Sequence, residues 1–147
     1  MAGLRCILAP TAAISFASGV AKTGLILTAP ANHRLLITQF GAFSSISSPT
    51  AAPGTLTLYS ASTAGTTTAL SPVLLGAGSE TPQATGGYNA TAEPSVSAVK
   101  KLVQLDRGYA EARALDQRIV VAGGTRIALK FYFDVAVDII PFIEYEE

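Results

Sequence analysis

From Ile127 onward the chain alternates apolar and more polar residues with a period of two, and this pattern constrains its fold more than any other feature. Ile127, Leu129, Phe131, Phe133, Val135, Val137 and Ile139 make one row, and Ala128, Lys130, Tyr132, Asp134, Ala136 and Asp138 make the other. Successive side chains of a strand point to opposite faces, so the segment reads as β-structure with one face buried. One unbroken strand from Ile127 through Tyr145 would run about 60 Å at roughly 3.3 Å per residue, too long for a small domain. The expected break is at Asp134-Val135-Ala136, which gives a C-terminal β-hairpin of residues 125–133 with 137–144. Pro141 lacks an N–H and should therefore sit at a sheet edge or a bulge.

Other segments repeat the theme. Residues 25–28 and 34–43 are strand-like and are separated by the turn cluster Ala29-Pro30-Ala31-Asn32. Thr55-Leu56-Thr57-Leu58-Tyr59 alternates, and residues 97–106 set Val99, Val103 and Leu105 against Lys100, Leu102 and Gln104. Residues 118–121 are short and apolar, Gly123-Gly124 turns the chain, and residues 12–16 add a further strand. Residues 109–118 contain helix formers, but their alternation favours a short strand followed by a turn. Eight or nine short strands with turn signals between them predict an all-β fold: an antiparallel β-sandwich or jelly roll. Residues 44–53, 60–70 and 76–88 are rich in Ser, Thr, Ala, Gly and Pro and read as long loops.

With 147 residues, 49% of them apolar, the chain is expected to form one domain over residues 1–147. Residues 1–11 read as an extended N-terminal arm, with a first core strand as the alternative. Arg5, the apolar Cys6-Ile7-Leu8-Ala9 and the small Ala17-Ser18-Gly19 have the outline of a secretory leader. Pro10-Thr11 interrupts that outline, and the chain is expected to be made without processing. No apolar run reaches 18 residues, so no membrane-spanning helix is expected.

Charge narrows the function. Ten basic residues balance ten acidic ones, and no basic excess exists to neutralise phosphates, so nucleic acid is not an expected partner. Charged residues make up 14% of the chain against roughly 25% in an average domain. Residues 35–79 hold no Lys, Arg, Asp or Glu at all. A neutral Ser/Thr-rich surface is either simply solvated or more readily buried against neighbouring subunits than a charged one.

Catalytic chemistry has few residues to use. His33, the single histidine, lies in the turn Asn32-His33-Arg34, and Cys6, the single cysteine, lies in an apolar stretch that suits an inert buried thiol. One Cys and one His exclude an internal disulfide framework and a zinc site of the usual type. Asp134 and Asp138 flank the expected turn, and Glu144, Glu146 and Glu147 read as a solvated acidic tail. Asp106 and Asp116 are a further pair of carboxylates that a two-carboxylate mechanism could use across a cleft. No enzyme, cofactor or metal is expected.

The order Arg118-Ile119-Val120-Val121, then Gly123-Gly124-Thr125-Arg126-Ile127-Ala128-Leu129, then the expected β-hairpin ending in Glu146-Glu147, resembles small virion proteins of tailed bacteriophages. Residues 24–30 and 34–40 ahead of long Ser/Thr/Gly-rich stretches carry the same likeness. The resemblance implies a β-rich capsid decoration (cement) protein, a homotrimer on the outer shell whose partner is the major capsid protein. It implies a chain made in the host cytoplasm and carried on the virion. No catalytic residue comes with it. Leu4, Arg5, Ile7 and Leu8 of the expected arm are the candidate capsid contacts. The alternatives are a tail or head–tail connector subunit and a jelly-roll carbohydrate-binding module.

Overall fold

The computed structural model describes residues 3–44, 54–105, 109–112, 114 and 117–147. Among them the chain forms β1 (Arg5–Leu8), β2 (Ile14–Phe16), β3 (Lys22–Thr28), β4 (Leu35–Ser44), β5 (Gly54–Ala61), β6 (Thr66–Leu70) and β7 (Val73–Leu74). It continues with β8 (Thr85–Ala92), β9 (Val96–Leu105), β10 (Tyr109–Ala112), β11 (Ile119–Val121), β12 (Arg126–Phe133) and β13 (Val137–Glu146). These strands make two antiparallel sheets. One runs β10-β4-β13-β1-β7, with β11 also on β4 and β2 also on β13; the other runs β6-β8-β3-β12-β5-β9. The all-β, two-sheet fold expected from the alternation is present.

One core joins the sheets. Leu8, Leu35, Ile37, Phe40, Ile143 and Tyr145 enter it from the first sheet. Leu25, Leu27, Leu58, Ile127, Leu129 and Phe131 enter from the second. Each such side chain contributes about 1.5–3 kcal/mol when fully buried. Phe16 of β2 reaches across, with its ring edge-on to Phe131 at 5.4 Å and to Phe133 at 5.8 Å between centroids.

The C-terminal hairpin does not form. β12 pairs with β3 and β5, whereas β13 pairs with β1, β2 and β4 in the other sheet. Residues 134–136 carry the chain across the sandwich. A hairpin would set both apolar rows on one face of one sheet; the crossing lets the two rows face each other through the core. Pro141 lies in β13, a central strand. There β4 lies on one side, while on the other β2 pairs residues 137–139 and β1 residues 143–146. Pro141 falls in the gap between β2 and β1, so its missing N–H breaks no ladder there.

The second sheet curls around its own centre. β5 pairs with β9 and β6 with β8, while only residues 62–65 join β5 to β6 and only residues 93–95 join β8 to β9. Residues 54–70 and 85–105 thus form one long two-stranded ribbon, bent in the middle. Its β8 part lies against β3 and its β5 part against β12, so the bend passes over the outer face of the β3–β12 pair. Ile26, Tyr59, Ala61 and Ala128 are buried beneath it as a second, smaller core. β3 is therefore buried on both faces.

Two stretches read as loops contain strands of this ribbon: β6 lies within residues 60–70, and β8 starts within residues 76–88. Their small residues reflect close packing. A Cβ on Gly86 would lie 2.6 Å from both Cδ atoms of Leu8, and one on Gly87 would collide with Thr67. The expected loop at residues 44–53 lies outside the described residues apart from Ser44, the last residue of β4. Residues 109–112 do form the expected short strand, on β4.

The extended arm is corrected for residues 5–8, which form β1 between β13 and β7. Leu4 and Glu147 close its end with two backbone hydrogen bonds of 2.9 and 3.0 Å. Cys6 and Leu8 belong to the core, and that burial is worth more than an exposed apolar arm.

Candidate interaction surface

The four candidate contact residues divide by the pleat of β1. Leu8 is 0% exposed and belongs to the core, so it has no surface to offer a partner. Leu4 packs partly buried against the same core, Ile7 is partly buried, and Arg5 is exposed. The structure does not gather them into one outward patch.

The residues considered for catalysis are also dispersed. His33 is exposed in its turn. Cys6 stands directly across from Tyr145 in the β1–β13 ladder, and burial pushes its thiol up from the usual range. Asp138 accepts a 2.6 Å hydrogen bond from the Ser15 hydroxyl. Asp106 and Asp116 lie outside the described residues. The acidic tail is tied down: Glu146 pairs with Arg118, and the Glu147 carboxylate accepts hydrogen bonds from the N–H groups of Gln83 and Ala84 at 2.6 and 3.1 Å. Among the described residues no three His, Cys, Asp or Glu side chains come together as a metal site.

What the fold does assemble is an apolar stripe along β9, an edge strand. Leu102 pairs with Thr57, Val99 with Tyr59 and Val96 with Ala61. Tyr59 and Ala61 belong to the outer cluster of this sheet and Thr57 alternates onto the same face, so the partners of all three also point outward. Leu102 is 69% exposed, Val99 53% and Val96 48%. Tyr132 of β12, exposed as well, stands on the same face as Ala128 and Lys130. Scattered exposed aliphatics are ordinary, whereas several in a row along an unpaired edge mark a surface suited to another chain.

A spacing of three on a single strand face arises from irregular pairing. The register slips between Leu58 and Tyr59 and again between Ser60 and Ala61. Each slip inserts one extra residue into β9, returning the next third residue to the outer face. Sequence reading with a strict period of two set Val99 and Leu102 on opposite faces; the bulges put them on the same one. Val96-x-x-Val99-x-x-Leu102 is the signal that was available.

Beside the stripe lies a polar cluster. The Tyr59 hydroxyl is 2.7 Å from Thr23 Oγ1, and Lys130 Nζ stands 5.4 Å from the centre of the Tyr59 ring. Burial pushes the Tyr59 phenol up, the Thr23 hydrogen bond opposes that, and the Glu93 charge adds to it. A neutral phenol bonded to a threonine, with a lysine over its ring, positions a side chain and does not make a nucleophile. On the outer face of the first sheet, Phe43 is exposed and stacks on Phe142 at 5.1 Å and 19°. No family model, curated protein or solved structure matches the chain.

Proposed function

We propose that the chain is a non-enzymatic virion structural protein that binds the outer surface of a bacteriophage capsid as a decoration (cement) subunit. The observation that carries this reading is the exposed apolar row Val96, Val99 and Leu102 on an edge strand. The charge-free stretch of residues 35–79 and the likeness of the sequence to phage virion proteins support it. Under this reading the two sheets are a stiff scaffold of jelly-roll type. The row is buried in a homotrimer or against the major capsid protein, and binding to the assembled shell alone stabilises that shell by mass action. Three linked copies raise weak individual contacts by avidity.

Light scattering across a concentration range, followed by co-sedimentation with empty shells, tests the proposal. The expected results are a mass near three times 15.1 kDa and saturable shell binding. Leu102→Asp together with Val99→Asp should abolish binding while leaving the β circular-dichroism spectrum unchanged. A chain that stays monomeric and does not sediment with shells overturns the reading. Binding that survives both substitutions removes the β9 row from it.

A further inference from the structure

The two residues that β9 leaves out of its ladder line the same cleft. β9 spans ten residues against the eight of β5, and the pairing passes over Ser97 and Lys100. A bulge re-aims the side chain of its extra residue, a device found beside binding sites. Ser97 and Lys100 meet Ser60, Ser62, Arg126 and Val120 around a cleft of about 450 Å³, where the β5–β9 edge approaches β11. That volume is within the range of small-molecule sites, roughly 300–1,000 Å³.

Among the described residues the charge in this cleft is uncompensated. No described carboxylate lines it, and neither Lys100 nor Arg126 makes an ion pair or hydrogen bond with any described residue. Three of the four cleft hydroxyls are already committed, the exception being that of Ser60. Ser97 donates to the Ser60 carbonyl at 2.9 Å, Ser62 to the Ser95 carbonyl at 3.4 Å, and Thr125 to the Ala122 carbonyl at 2.6 Å. The ammonium of Lys100 and the guanidinium of Arg126 are its cationic donors, with no partner among the described residues. In a chain of zero net charge, two unpaired cations bordering one concave site favour an anion. A guanidinium matches the two oxygens of a carboxylate or phosphate group.

We propose that this cleft binds an oxyanion group, carboxylate or phosphate, through Lys100 and Arg126. The site stands independently of the capsid reading. Titrating the ¹⁵N-labelled chain with sodium phosphate, and separately with sodium glutarate, at constant ionic strength tests it. Expected are saturable NMR shifts confined to the β9 bulges, β11 and residues 122–125, with affinity at least tenfold weaker in the Lys100→Gln, Arg126→Gln double variant. Saturation by phosphate alone assigns the site to a phosphate group, and saturation by glutarate alone to a carboxylate such as an acidic side chain of a partner. If the double variant does not fold, Lys100→Gln alone carries the test, because Lys100 is exposed and bonded to no described residue. Shifts that never saturate, or that persist unchanged in the folded variant, overturn the proposal.

Discussion

Glu93 accepts two hydrogen bonds from Thr23, one from its backbone N–H at 2.8 Å and one from its hydroxyl at 2.6 Å. Thr23 lies in the sheet and is fully buried, while Glu93 lies in the bend of the ribbon that passes over it. Lys130 Nζ, 3.6 Å from the same carboxylate, completes the latch from β12. Glu93→Ala leaves the Thr23 N–H without its partner, at a cost of about 1–3 kcal/mol. Glu93→Gln keeps an acceptor and should cost less than the alanine variant. Urea unfolding at neutral pH measures both, and an alanine variant as stable as the parent would show that the latch contributes nothing.

Gly86 is a position in the ribbon where a methyl group has no room. Its Cβ would lie 2.6 Å from both Cδ atoms of Leu8, which is fixed in the core of the opposite sheet. Gly86→Ala should therefore destabilise by about 1–3 kcal/mol, as overpacking of a filled core does. Gly76 has nothing within 4 Å of its Cβ position, and Gly76→Ala should be neutral within about 0.5 kcal/mol. Thermal melts of the pair provide the comparison, and equal melting temperatures would contradict it.

The strands legible in the sequence are those whose apolar residues alternate, such as β4, β5 and β12. Alternation tells which face is buried but not which sheet the strand joins. Ile127–Phe133 and Ile139–Tyr145 present the same pattern whether they pair with each other or face each other through the core, so the alternation alone reads as a hairpin. β6 and β8 gave no such signal, because Thr, Ala and Gly fill them and their place depends on Leu8 and Thr67 packing close to Gly86 and Gly87. The outward stripe was hidden by the bulges at Ser97 and Lys100, which depend on the pairing of β9 with β5 and not on β9 alone.

Because β1 is built into a sheet, the N-terminus should carry stability. Leu8→Ala should cost about 2–5 kcal/mol, the usual loss for truncating a buried leucine. Arg5→Ala, at an exposed position of the same strand, should stay within about 0.5 kcal/mol. Deleting residues 1–8 takes a strand from between β13 and β7 and should remove cooperative unfolding altogether. A truncated chain that keeps its β circular-dichroism spectrum and a sharp melt would restore the arm.

Alkaline pH should weaken the fold. Burial pushes the Tyr145 phenol well above the usual tyrosine range, and the neighbouring Cys6 and Glu147 add to the shift. Burial likewise raises Tyr59 and Cys6. These groups ionise in the unfolded chain near their ordinary values, about 8.5 for Cys and 10 for Tyr, and at higher pH in the folded one. Above about pH 9 the folded state holds more protons than the unfolded state, so stability falls as pH rises. Lys22 acts in the opposite sense, because burial lowers its ammonium and the folded state sheds that strain as the proton leaves. Three raised groups against one lowered group give a net loss, read as a lower urea midpoint at pH 10.5 than at pH 7. Tyr145→Phe has no phenol to ionise and should flatten that slope, so a variant with the parent's full pH dependence would exclude Tyr145 as its main source.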